Sequence, residues 1–238
     1  MPAALPPSPL GERFERAVVA ALETCRRNQR VSADVSYVAR LFGVCAIVLE
    51  NGGSESEAIA SLLQRAVDRR GALAHVARIG AEFGDDVAAI IGGSIDVSGV
   101  NAGAEARPFY DRTLASIERL RQHAAGDESA DFGASVFLVS AADTLYSARA
   151  TNDKLLAGRD VFAGRKGKKF GTLWAYRALA DAYLACDGRH TRFAGALIEL
   201  VDNMAGKPVT TPELLAVFAI DDTVDRREKG SLLEGATR

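Results

Sequence analysis

Residues 54–70 read Ser54-Glu55-Ser56-Glu57-Ala58-Ile59-Ala60-Ser61-Leu62-Leu63-Gln64-Arg65-Ala66-Val67-Asp68-Arg69-Arg70. Ala58, Ile59, Leu62, Leu63, Ala66 and Val67 recur at i, i+3 and i+4, the spacing that lines one face of a helix. Ser54 and Glu57 stand three apart at its start, the arrangement in which each side chain satisfies the other's backbone N–H. The stretch predicts a helix from Ser54 to Arg70. Its neighbours are expected to wall its apolar face, and Gln64, Arg65, Asp68 and Arg69, directly after the leucine pair, carry its polar chemistry.

Directly before this stretch, Ser36–Glu50 predicts a helix with an almost wholly apolar surface (Tyr37, Val38, Leu41, Val44, Ile47, Val48, Leu49), closed by Asn51-Gly52-Gly53. It is expected to be the most buried helix. Upstream, Phe14, Ala17, Val18, Ala21, Leu22 and Cys25 form a helical stripe that ends in the polar run 26–34. Downstream, helices are expected over Ala72–Phe83 and over Asp85–Ile91, the second ended by Gly92-Gly93. Residues 94–107 lack periodicity and predict a mobile loop at the rim of a pocket.

The second half continues the pattern. A helix is expected after Pro108 (Tyr110, Leu114, Ile117, Leu120), fraying at residues 123–133, and a strong one over Ser135–Ala150 around Asp143. Residues 158–171 concentrate positive charge between glycines and predict a solvated loop. Thr172–Ala185 and Arg192–Met204 predict two more helices, and Thr211-Pro212-Glu213 marks a last one with Thr211 as its cap. Trp174, Tyr176 and Tyr183 are expected in the core. No run alternates with strand period, so the chain reads as all-α. Residues 1–9, with four prolines, read as a flexible leader, 10–220 as one helical domain, and 221–238 as a charged, disordered tail.

A chain of 238 residues with 48% hydrophobic content can bury a substantial core. A net charge of −2 gives no global footprint for nucleic acid or an anionic membrane, and no apolar run is long enough to span a bilayer. The N-terminus lacks the pattern of a secretory signal, so a cytoplasmic protein is expected. Cys25, Cys45 and Cys186 are odd in number and sit in apolar helix patterns, which favours buried thiols over a disulfide or a zinc site.

The words YVARLFGVCAIVLENGGSESEAIASLL (37–63) and LVSAADTLYSARA (138–150) resemble the HD-domain family of RelA/SpoT-type guanosine polyphosphate pyrophosphohydrolases. The resemblance spans about residues 10–187. It implies an all-α, HD-domain-like bundle of about eight to eleven helices. In that family one divalent metal, usually manganese, is held by the His of a Tyr-x-x-His word, a His-Asp pair on the central helix and a later Asp. The matching positions here are Arg40, Gln64, Arg65 and Asp143, so only Asp143 is kept. The acid pair that orients the attacking water falls on Asp68 and Arg69. The phosphate-holding Arg-Lys word falls on Arg30 and Val31, and the residues flanking the last ligand fall on Thr144 and Ser147, although Arg149 fits the pattern.

The substitutions reverse the charge of the site. Where the family has four carboxylates, Arg40, Arg65, Arg69, Asp68 and Asp143 sum to +1. Each unit-charge contact at about 4 Å is worth on the order of 4 kcal/mol at an effective dielectric near 20, enough for three cations to exclude a divalent ion. Guanidinium has no lone pair to give a metal, and without a metal no bound water is activated at neutral pH. His75, His123 and His190 lie outside every family position.

Two readings of the arginines remain open. In one, Arg40 or Arg65 replaces the metal as a structural cation paired with Asp143 or Asp68. In the other, free arginines join Arg30 and Arg149 in a pocket for a phosphorylated ligand that is bound and not hydrolysed. The expected function is therefore that of a catalytically inactive, metal-free HD-domain protein that binds a phosphorylated nucleotide, a protein partner or a second copy of itself. A metal-dependent nucleotide pyrophosphohydrolase with an atypical site is the alternative, and a purely structural interaction protein the third possibility. The charge count predicts that no manganese, zinc or iron purifies with the protein in stoichiometric amount; elemental analysis finding about one metal per chain would contradict it.

Overall fold

Helix spacing in the sequence becomes helix in space throughout the computed structural model, which describes residues 10–27, 35–64, 72–94, 108–124, 134–185 and 191–235. Among these residues there are twelve helical segments and no strand, so the all-α expectation holds. The chain divides into two compact units, residues 1–104 with 131–146 and residues 105–130 with 147–238, where the sequence suggests one helical domain.

The first unit contains α1 (Glu12–Arg27), α2 (Val35–Glu50), α3 (Glu55–Leu63), α4 (Ala72–Phe83), α5 (Asp85–Ser94) and the first part of α7 (Ala134–Leu156). α3 is its centre and packs on α1, α2 and α5. Every residue from Glu57 to Leu63 is buried, whereas Phe42 on α2 is 40% exposed; the most buried helix is α3, not the more apolar α2. α3 is short and held on several sides, while α2 keeps one face toward solvent. Burying side chains such as Ile59 and Leu62 contributes about 1.5–3 kcal/mol each. The cap expected at Ser54 is present in both directions: the Glu57 N–H donates to Ser54 Oγ at 3.3 Å, and the Ser54 N–H donates to Glu57 Oε2 at 2.6 Å. Just upstream, Gly52 takes φ +76° to end α2, and the Gly53 N–H returns to the Val48 carbonyl at 3.0 Å.

α4 has the boundaries expected of it. α5 differs, because it runs through Gly92 and Gly93 to Ser94, whose hydroxyl bonds the Ile90 carbonyl at 2.9 Å. Neither glycine takes the positive φ that a glycine stop needs. Buried Val87, Ile90 and Ile91 hold the helix against a propensity cost of about 1 kcal/mol per glycine.

The second unit contains α6 (Phe109–Ala124), the rest of α7, α8 (Lys168–Leu184), α9 (Thr191–Ala205), α10 (Thr211–Ile220) and two four-residue turns, α11 (Arg226–Lys229) and α12 (Leu232–Gly235). α8 is the hub, packing on α6, α9 and α10, and Trp174, Tyr176 and Tyr183 are buried as expected. The basic segment is helical from Lys168 onward. Its Arg165 is tied down by Thr151 Oγ1 at 2.6 Å and by the Tyr176 hydroxyl at 3.1 Å. The cap of α10 is Thr210, one residue before the expected Thr211, because Glu213 lies three residues after Thr210 and completes a capping box with it. Residues 221–235, which read as a disordered tail, are structured: Val224 and Lys229 are buried, and Glu228 and Lys229 have hydrogen-bond partners.

α1 joins the first unit through a polar cluster. Arg13 Nε donates to Glu55 Oε2 at 3.0 Å, Nη2 donates to Ser56 Oγ at 2.6 Å, and Nη1 lies 3.5 Å from Asp86. Ser56 Oγ donates in turn to Asp86. The Gly11 N–H donates to Glu55 and, with Arg13, holds its carboxyl below the usual range. Burial pushes Asp86 upward, but hydrogen bonds from Ser56 and the Val87 N–H, with the Arg13 charge, outweigh it and leave the group lowered. A depressed carboxylate stabilises the fold above its unfolded pKa, and that contribution is lost as pH falls through the folded value. The melting temperature is therefore expected to fall as pH drops below the ordinary values of 4.5 and 3.8 for these two groups. Glu55→Gln should flatten the decline in thermal melts from pH 7 to 3, and an unchanged acid slope would remove the cluster from the account.

Candidate functional site

α2 and the first part of α7 meet through residues placed i and i+3 on each helix, Arg40 and Gly43 on one, Asp143 and Tyr146 on the other. This spacing puts each pair on one helix face. Arg40 Nη2 donates to Asp143 Oδ1 at 2.7 Å and lies 3.4 Å from the Asp143 carbonyl oxygen. The Arg40 guanidinium carbon stands 5.5 Å from the centre of the Tyr146 ring, within cation–π range. The ring lies so close to Gly43 that a Cβ there would collide with it. One glycine thus admits the ring, the ring shelters the guanidinium, and the guanidinium meets the carboxylate.

The side chains of Arg40 and Asp143 are 20% and 26% exposed, so the pair is partly desolvated. Its worth lies between an exposed pair, about 0.2–1 kcal/mol, and a buried one whose rupture costs about 3–5 kcal/mol. A divalent metal does not fit this arrangement. Position 40 offers five N–H donors and no lone pair, and it already takes up an oxygen of Asp143. Among the described residues no group of three or more His, Cys, Asp or Glu is placed to hold a metal ion.

The other candidates are distributed differently. Gln64 is the C-cap of α3, its backbone N–H bonding the Ala60 carbonyl. Its side-chain Nε2 is buried and has no hydrogen-bond partner among the described residues. Such an orphaned donor costs about 1–3 kcal/mol. Arg149 is exposed, and six residues past Asp143 it points about 120° away around α7. Arg30, Arg65, Asp68 and Arg69 lie outside the described residues, as do the expected rim loop from residue 95 to 107 and the leader. Cys45 is buried and free; burial pushes its thiol up, against a hydrogen bond with Ser61 that acts the other way. The side chain of Cys25 and all of Cys186 are outside the described residues.

Tyr146 and Gly43 were not among the sequence candidates. Their signal was present: a glycine inside an otherwise apolar helix one turn after Arg40, and an aromatic residue one turn after Asp143. Neither position by itself shows that the two meet.

A family model described as HD domain matches residues 17–175, about two thirds of the chain. No curated protein matches it.

Removing one partner of the pair tests its energetics. Arg40→Ala is expected to cost about 1–3 kcal/mol in denaturant unfolding. The Arg40→Ala/Asp143→Ala double variant should lose about 1 kcal/mol less than the two single losses combined. Strict additivity would show that the contact contributes nothing.

Proposed function

The chain belongs to the HD domain family, and on that premise we propose that it is a non-hydrolytic member acting by binding, with Arg40 as a fixed cation where relatives of the guanosine polyphosphate pyrophosphohydrolase type place a metal ligand. The observation that carries this reading is the 2.7 Å contact between Arg40 and Asp143. A guanidinium bound to the one retained ligand residue satisfies its charge from within the chain. The carboxylate then has no need of a divalent ion, and the chemistry that such an ion supplies, lowering the pKa of a bound water, has no starting point.

The ligand class follows from what arginine recognises. Arg30, Arg65, Arg69 and Arg149 remain as cations suited to the bidentate recognition of phosphate, which favours a phosphorylated nucleotide; a protein partner or a second copy of the chain is the other class of occupant. The family itself favours a second reading, a working metal-dependent phosphohydrolase, because HD domains provide that type of fold.

The readings separate in one set of measurements on the purified full chain. Phosphate or pyrophosphate release from guanosine polyphosphates with added manganese should stay at the level of a protein-free control, while calorimetry with the same nucleotides reports binding. Turnover that depends on manganese would overturn the non-hydrolytic reading. Absence of both turnover and binding would leave the protein-partner class, for which sedimentation of the chain alone tests self-association.

A further inference from the structure

α6 begins at Phe109, and the residue in its capping position, Pro108, has no side-chain acceptor. The missing acceptor comes from residue 228, more than a hundred positions later. Glu228 Oε2 accepts the Phe109 N–H at 2.8 Å, and its Oε1 accepts Lys166 Nζ at 2.7 Å. With 13% of its side chain exposed, Glu228 is a largely buried carboxylate with both oxygens engaged. The same helix turn reaches back: Asp111 Oδ1 accepts from the Ser231 N–H at 3.1 Å and from the Ser231 hydroxyl at 2.5 Å.

Between these anchors Gly230 takes φ +50°, and a Cβ on it would collide with Asp111 and press on Pro108, so the backbone of this strap lies directly against the start of α6. Lys229 is 4% exposed and its Nζ donates to the Ala219 carbonyl at 2.8 Å, in the last turn of α10, where a cation also complements the helix dipole. Val224, 3% exposed, anchors the near end of the strap. Three polar contacts and one glycine thus converge on the N-terminus of a helix that has no cap of its own, while Lys166, Lys229 and buried Val224 hold the strap in place. The strap lies beyond residue 175, where the HD domain match ends.

We propose that residues 224–231 form a latch that supplies the N-cap of α6 from the far end of the chain, so that the first turn of α6 is ordered only while the strap is docked. The device is electrostatic as well as steric. Ser231 is exposed and donates to a carboxylate, so a negative charge at that position removes the donor and faces Asp111 with like charge.

Hydrogen exchange on the full-length chain reads the latch directly. In Glu228→Ala and in Ser231→Asp the amides of residues 109–112 should exchange about tenfold faster, as loss of a cap implies, while those of α9 keep their protection. Ser231→Ala, which removes the donor without adding charge, should have the smaller effect. Adding Pro108→Asp to Glu228→Ala supplies a local acceptor for the N–H groups of residues 110 and 111 and should restore protection of Arg112, whose N–H bonds the carbonyl of residue 108. Unchanged exchange at 109–112 in both Glu228→Ala and Ser231→Asp overturns the latch. Equal loss across α6 and α9 with no rescue by Pro108→Asp also overturns it, because the strap would then be an ordinary part of the core.

Discussion

A single guanidinium between a carboxylate and the face of a ring is the constraint from which the candidate site follows. Arg40 meets Asp143 at 2.7 Å and Tyr146 at 5.5 Å, so one cation spans two helices and uses both its charge and its flat face. Position 40 thereby decides what the site can be. An imidazole there leaves the carboxylate seeking a cation; a guanidinium is that cation. The pair also requires Gly43, because the ring that shelters the arginine occupies the space of a β-carbon. Charge, ring and glycine form one unit, and the three residue types explain one another.

A second physical theme recurs in both compact units: helix N-termini are satisfied from a distance. α1 begins after Gly11, whose N–H donates to Glu55 Oε1 at 2.8 Å, and α6 begins at Phe109, whose N–H donates to Glu228. In each case the sequence before the helix has no side-chain cap, and a glutamate from another element supplies the acceptor. Local capping boxes at Ser54 and Thr210 do the same work within a few residues. The local caps define the helix, whereas the distant ones also tie two elements together, so the same hydrogen bond contributes to tertiary structure.

The departures from expectation share a cause. Gly92-Gly93 has the composition of a helix stop, and residues 221–235 have that of a solvated tail, yet both are structured. Composition reports what a segment does in water. In the fold, buried Val87, Ile90 and Ile91 carry α5 through its glycines, and Lys229, Glu228 and Ser231 each find a partner in the second unit. The capping register of α10 shows the same on a smaller scale, since Thr210 and Thr211 are equivalent as residue types and only the position of Glu213 relative to each selects between them.

Near neighbours along the chain are enough to decide helix over strand from the apolar spacing, the start of α3 from Ser54 and Glu57, the boundaries of α4, and that positions 40 and 64 hold an arginine and a glutamine rather than an imidazole or a carboxylate. Each is a matter of residue type at fixed separation along the chain. The packed helices are needed to show which arginine takes Asp143, that Tyr146 and Gly43 complete the contact, and that Glu228 accepts the N–H of Phe109 at the start of α6. Several arginines of equal chemistry compete for two aspartates in the sequence, and a glutamate at 228 has no local reason to serve residue 109. Helix packing settles such choices, because a charged pair gains most where two helices already hold its members within about 3 Å and partly out of water.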